Sequence, residues 1–157
     1  MKKIRASINK IIEAILAFLM AVLTLDVLWQ VFTRYVLNDP SPWSEELARF
    51  ILIWVSILGA AYVSGRKEHI AIDLLQQKSS PENRRKIQWV IDAMIILFAL
   101  FVLVIGGYNL VQITISQTSS SLQIPLGVIY LIIPISGVLI IFYALTDMIA
   151  GEDKRTT

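Results

Sequence analysis

Asp26, Gln30 and Arg34 stand four residues apart, a spacing that stacks a carboxylate, an amide and a guanidinium along one helical face. All three fall inside the apolar stretch Ile11–Leu37, where an unpaired charge is costly. Such a carboxylate can serve an ion or proton site, or it can form a polar seam that pairs with Arg49 or with another chain's helix. One carboxylate with no second acid or histidine beside it makes a poor relay, which favours the seam. Asp92 lies under two turns into the third apolar stretch, close to Arg84, Arg85 and Lys86, and Asp147 lies near the end of the last one. Both read as interfacial ion-pair partners. His69 is the only histidine and there is no cysteine, which excludes thiolate metal sites, disulfides and Cys nucleophiles. Gly106-Gly107 falls mid-helix and matches no phosphate loop; it allows close helix packing or a bend. These residues support no enzyme, no cofactor and no resident metal.

Four apolar stretches must carry these groups: Ile11–Leu37, 44–64 (Phe50–Ser64 with a polar helical lead-in from Ser44), Ile87–Ile115 and Ile124–Ala150. Each is near or above the roughly 20 residues needed to cross a hydrocarbon core of about 30 Å. A chain 56% apolar and 17% charged, with mean hydropathy +0.68, is too hydrophobic for a soluble domain. The expected fold is an all-α integral membrane protein, a single domain over 1–157 with four transmembrane helices and short interfacial helices. Arg34 and Arg49 alone among the 14 Lys and Arg residues fall on one side of this arrangement. By the positive-inside rule, both termini and the 65–86 loop are cytoplasmic. The net charge of +2 borders apolar segments, so it reads as topology signal and phospholipid headgroup contact, not nucleic-acid binding. The first stretch is too long for a signal-peptide core and reads as a retained span.

Ser80-Pro81-Glu82-Asn83 has a capping hydroxyl, a first-turn proline and an acid, so the third helix starts near Pro81. Ser41-Pro42-Trp43-Ser44-Glu45-Glu46 repeats the pattern before the second helix, with Glu45 and Arg49 one turn apart. Trp43 and Trp89 suit the two interface belts; Trp29 and Trp54 are deeper and face lipid or a partner. His69–Gln77 mixes apolar and polar residues as a short helix on the inner membrane surface would. Ser56, Ala60 and Ser64, with Gly59 beside them, form a small-residue face on the second helix. Pro134 removes a hydrogen bond to the Tyr130 carbonyl and predicts a kink in the fourth. No internal repeat is visible, so the inverted-repeat design of many complete transporters is missing.

The order Arg34-Tyr35, then Trp43-Ser44-Glu45-Glu46-Leu47-Ala48-Arg49-Phe50, then Trp54 and Gly59-Ala60-Ala61 resembles the small membrane subunit of tripartite ATP-independent periplasmic (TRAP) transporters. Gly65-Arg66-Lys67-Glu68-His69-Ile70-Ala71-Ile72-Asp73 resembles the loop signature of that family, and Ile124-Pro125-Leu126-Gly127 with Tyr130 and Pro134 its fourth-helix pattern. The likeness covers about Lys10 to Ala150. It implies a bacterial inner-membrane scaffold bound to a large elevator-type membrane subunit, which holds the substrate and sodium sites. It also implies a periplasmic substrate-binding protein that delivers a carboxylate solute such as sialic acid or a C4-dicarboxylate. Trp43, Glu45, Glu46 and Arg49 would then lie on the periplasmic side as docking or subunit contacts, with Trp54 in the same partner-facing set. Arg34 would anchor the outer end of the first helix. Arg66, His69 and Asp73 would fix the cytoplasmic loop. Fused relatives exist, and a chain ending after Lys154-Arg155 is expected to be the separate kind. Asp26 matches no family signature.

Two other classes compete. A self-sufficient four-helix multidrug exporter would use Asp26, but such proteins are shorter and less biased in charge. A membrane assembly factor would be stable without a large hydrophobic partner. The scaffold reading instead expects Arg49→Glu to weaken assembly or transport without changing substrate preference.

Overall fold

The computed structural model describes the backbone of residues 2–66 and 81–153, and the side chains of 4–66 and 87–148. Helix α1 (Lys2–Phe32) continues into a π-helical turn, Thr33–Leu37. Asn38 ends it with φ 53°, a left-handed conformation that asparagine tolerates, and returns its N–H to the Thr33 carbonyl. Helix α2 (Pro42–Arg66) begins on proline, whose missing N–H would have no intrahelical partner there. The third span is α3 (Pro81–Phe98), a π-helical segment Ala99–Gly106 and α4 (Gly107–Thr114). The fourth is α5 (Leu126–Tyr130) and α6 (Ile132–Asp153).

Among the described residues, four stretches are long and apolar enough to cross a membrane: Ile4–Leu37, Pro42–Arg66, Ile87–Thr114 and Leu126–Met148. The first helix thus starts well before Ile11, because Lys2–Lys10 continues the helix in polar register. The expected interfacial helix His69–Gln77, the Ser80 cap, His69 and Asp73 lie outside the described residues.

The spans stand in a row. The first packs on the second, the second on the fourth, and the fourth on the third. The fourth is therefore the most enclosed, with 33% of its most apolar window buried against 11% for the first. Ile12, Leu58, Ile132 and Tyr143 form the core where the first, second and fourth spans meet. Lipid tails are as apolar as these side chains, so close packing and hydrogen bonds must supply much of the cohesion.

Close packing is most evident between the third and fourth spans. A methyl placed on Gly107 would sit 2.9 Å from Ile133 Cγ2 and 2.9 Å from Pro134 Cδ. One on Gly127 would sit 2.8 Å from Ile115 Cα. Opposite Gly107 the fourth span is interrupted at Leu131, as Pro134 predicts: α5 ends at Tyr130 and α6 starts at Ile132. Beside the interruption, Trp54 Nε1 donates to the Ile129 carbonyl at 2.9 Å. The indole that the sequence placed facing lipid or a partner is thus used to tie the second span to the fourth.

Candidate functional site

Polar side chains gather in two layers at the ends of the row. Arg5 and Asp147 form an ion pair, so the beginning and end of the chain share one end of the molecule. At the other end, Gln30 Nε2 donates to the Ser44 carbonyl at 3.1 Å and sets that layer's level. From Ser44 to Gly65 the helix rises about 31 Å at 1.5 Å per residue, close to the thickness of a hydrocarbon core.

In the layer away from the termini, Asp26 is 6% exposed and accepts a 2.7 Å hydrogen bond from Gln30 Nε2. The expected stack therefore closes on its first two members. Among the described residues, neither Arg34 nor Arg49 is in an ion pair or side-chain hydrogen bond, so Asp26 pairs with neither arginine and Glu45 does not pair with Arg49. Asp26 pairs with an amide of its own helix, a neutral partner, and it is that amide, on Gln30, that joins the first span to the start of the second.

Glu46 has a role that its type and position did not announce. Its carboxylate accepts the backbone N–H groups of Ser120 (3.1 Å), Ser121 (3.0 Å) and Leu122 (2.8 Å). Three consecutive amides converging on one anion fix the turn between the third and fourth spans to the N-terminal part of α2. That turn is closed further by Ser119 N–H to the Ile124 carbonyl at 2.9 Å and Leu126 N–H to the Gln117 carbonyl at 2.8 Å.

Arg34, Trp43, Glu45 and Arg49 remain exposed at this end. A cleft of about 200 Å³ separates the end of the first span from the start of α2 and is lined by Gln30, Val31, Arg34, Tyr35, Ser41 and Glu45. Arg34 and Glu45 thus share a cleft without pairing. Trp43 lines a neighbouring groove of about 320 Å³ together with Trp29 and Leu37.

At the end that carries the termini, Arg5 also donates to the Gly65 carbonyl and lies over the Tyr143 ring, 5.3 Å from its centroid. Tyr143 is 1% exposed and donates to Asn9 Oδ1 at 2.6 Å. One guanidinium thus joins the first, second and fourth spans. Arg66, expected as part of a loop motif, is the last residue of α2 and donates to Glu13 at 2.9 Å. Its guanidinium lies over Tyr62, whose hydroxyl also donates to Glu13. Asp92 accepts from Gln88 at 2.8 Å. Asp147 is the ion-pair partner its position suggested, whereas Arg5 had been read only as topology signal. An acid near the end of one span and an arginine near the start of another could have revealed the pair, because four spans return the chain to the same side.

These layers link helices to one another and hold no constellation for bond chemistry. Among the described residues, no three acids or histidines are grouped to hold a metal ion. Residues 23–152 match the family described as tripartite ATP-independent periplasmic transporters, DctQ component. The chain is 32% identical to the sialic acid TRAP transporter small permease protein SiaQ of Vibrio cholerae serotype O1, over 84% of this chain and 81% of that one. A putative TRAP transporter small permease protein of Haemophilus influenzae is 24% identical over 96% of this chain and 92% of its own length. The C4-dicarboxylate TRAP transporter small permease protein DctQ of Vibrio cholerae is 31% identical over 64% of this chain and 43% of that one. Matching from the middle of its first span through its fourth, this multi-pass membrane protein belongs to the DctQ component family of TRAP transporters, whose members are transporter subunits and not enzymes.

Proposed function

We propose that the chain is the stationary small subunit of a sodium-driven importer of a carboxylate-bearing solute, in the sialic acid or C4-dicarboxylate class. It sits in the bacterial inner membrane with both termini and the 65–86 loop in the cytoplasm. Its partners are a large elevator-type membrane subunit, which carries the solute and sodium sites, and a periplasmic substrate-binding protein that docks at the Trp43–Arg49 end. Relatives named for sialic acid and for C4-dicarboxylates support the solute class.

One observation carries the division of labour. Among the described residues, each carboxylate within the spans, apart from the exposed Glu45, is engaged inside the chain. Asp26 takes Gln30, Glu46 takes three amides, Glu13 takes Arg66, Asp92 takes Gln88 and Asp147 takes Arg5. Glu13, Glu46 and Asp147 tie spans together, Asp26 and Asp92 are met within their own helices, and sodium and solute binding falls to another subunit. An elevator must move one domain against a part that stays put, and four cross-linked spans add to the stationary side.

The test is to tag the chain at its C-terminus, extract it gently from native membranes and identify what co-purifies. A stoichiometric membrane protein of many more helices is expected, and the reconstituted pair should take up solute with its binding protein only when a sodium gradient is present. Recovery of the chain alone, as a stable monomer or dimer, would contradict the proposal and put Asp26 first in line for mutation.

A further inference from the structure

The two faces of α2 obey different rules. Phe50, Ile51, Leu58, Ala61 and Gly65 are buried against the first and fourth spans. The opposite face carries Glu45, Arg49, Leu52, Ser56, Ala60 and Val63, all exposed and spaced by three or four residues. Ser44 is level with the polar layer, so Arg49 lies about 7 Å and Ser56 about 18 Å further along the helix into the span. An exposed guanidinium therefore stands just inside the apolar region, and a hydroxyl stands near its middle.

Neither has a partner among the described residues. The neighbouring acids do not serve Arg49. Asp26 is occupied by Gln30 and Glu46 by the 120–122 amides, while Glu45, one turn away, makes no pair with it. No described residue of the chain supplies the charge that complements this face. Lipid tails supply neither an anion nor an acceptor. The first and third spans expose many large apolar groups, Phe18, Leu25 and Leu28 on one and Leu97, Phe101 and Val102 on the other, beside smaller or polar ones such as Ala21 and Asn109. Those large apolar groups suit lipid.

We propose that the Glu45–Val63 face of α2 packs on a helix of the large membrane subunit that presents a carboxylate to Arg49 and a polar group to Ser56. Gly59, beside this face, supplies the room for close approach, since a methyl added there meets nothing of this chain within 4 Å. The inference rests on the chain being a small transporter subunit, and it names the face and the chemistry of that contact.

The test uses the full chain tagged and co-expressed with its large membrane subunit, as wild type and as Gly59→Leu, Arg49→Glu, Arg49→Lys and Ala21→Leu. The last places the same bulk on an exposed position of the first span. Chain abundance in the membrane and large subunit recovered per tagged chain are both measured. Gly59→Leu and Arg49→Glu should each lower recovery about tenfold, equivalent to about 1.4 kcal/mol, at unchanged chain abundance. Arg49→Lys should keep most of the recovery, and Ala21→Leu all of it. Normal recovery with both Gly59→Leu and Arg49→Glu, alongside normal wild-type recovery, would overturn the proposal and give this face to lipid, with Arg49 reaching up to a headgroup. Loss of the Gly59→Leu chain itself would also count against it, by showing that the space belongs to this chain. Wild type recovered alone would instead overturn the subunit reading on which the proposal stands.

Discussion

A methyl group added at Gly127 would lie 2.8 Å from the backbone of Ile115, whereas one added at Gly59 would meet nothing. Gly127, with Gly107 and Gly137, belongs to the seam between the third and fourth spans, where a neighbouring helix already occupies the space that a side chain would need. Gly59 is flanked by exposed Ser56 and Ala60 on a helix whose other side is packed. The same residue type therefore serves two assemblies. In one the chain completes its own contact. In the other it leaves a contact open at the depth of the hydrocarbon, on a helix whose Arg49 has no counter-ion among the described residues.

The comparison can be broken most forcefully at Gly127. A leucine there must displace backbone on the third span, and overpacking of that severity is expected to cost more than about 3 kcal/mol. Little folded Gly127→Leu chain should accumulate in the membrane, with or without the large subunit, while Gly59→Leu accumulates normally. Equal abundance of the two variants would mean the seam is no tighter than the open face.

Arg5→Ala tests the closed side from its polar end. The Asp147 side chain is 10% exposed, and removing one member of such a pair is expected to cost roughly 3 kcal/mol. A clear fall in thermal stability in detergent should follow. Arg5→Lys should recover only part of it, because a single ammonium cannot reproduce the guanidinium's contacts with Asp147, the Gly65 carbonyl and the Tyr143 ring. Wild-type stability in Arg5→Ala would show that the packed side does not depend on this tie.

The smallest effect is expected at Ser136. It is 0% exposed, and its hydroxyl has no hydrogen-bond partner among the described residues. Ser136→Ala should leave stability unchanged or raise it by up to about 1 kcal/mol, because it removes an unsatisfied polar group. A measured loss would mean the hydroxyl has a partner, such as an ordered water.

The number of spans, the proline that opens the second and the interruption near Pro134 were legible in the sequence. Each depends on local chemistry, either hydropathy along one segment or a proline without an N–H. The order of the row was not legible, because hydropathy says that a helix is in the membrane and not which helix stands beside it. Arg5 with Asp147, Glu46 with the 120–122 amides and Trp54 with Ile129 all follow from that order, so they escaped a segment-by-segment reading. The π-helical segment Ala99–Gly106 escaped for a different reason. ALFVLVIG is uniformly apolar before its glycine and carries no punctuation to mark a change of helical register. The small-residue face was legible only in part: Ser56 and Ala60 are exposed as a packing face should be, while Ser64 is half-buried.

The most direct measurement of the difference between the open and closed sides is site-specific photo-crosslinking in native membranes, with the probe at Ser56 or at Phe101. Both positions are exposed within the spans, one on the small, polar face and the other on a large apolar one. The account predicts that the probe at 56 captures a membrane protein of many helices in high yield, while the probe at 101 captures lipid. Lipid adducts at both positions, with no protein captured at 56, would contradict it.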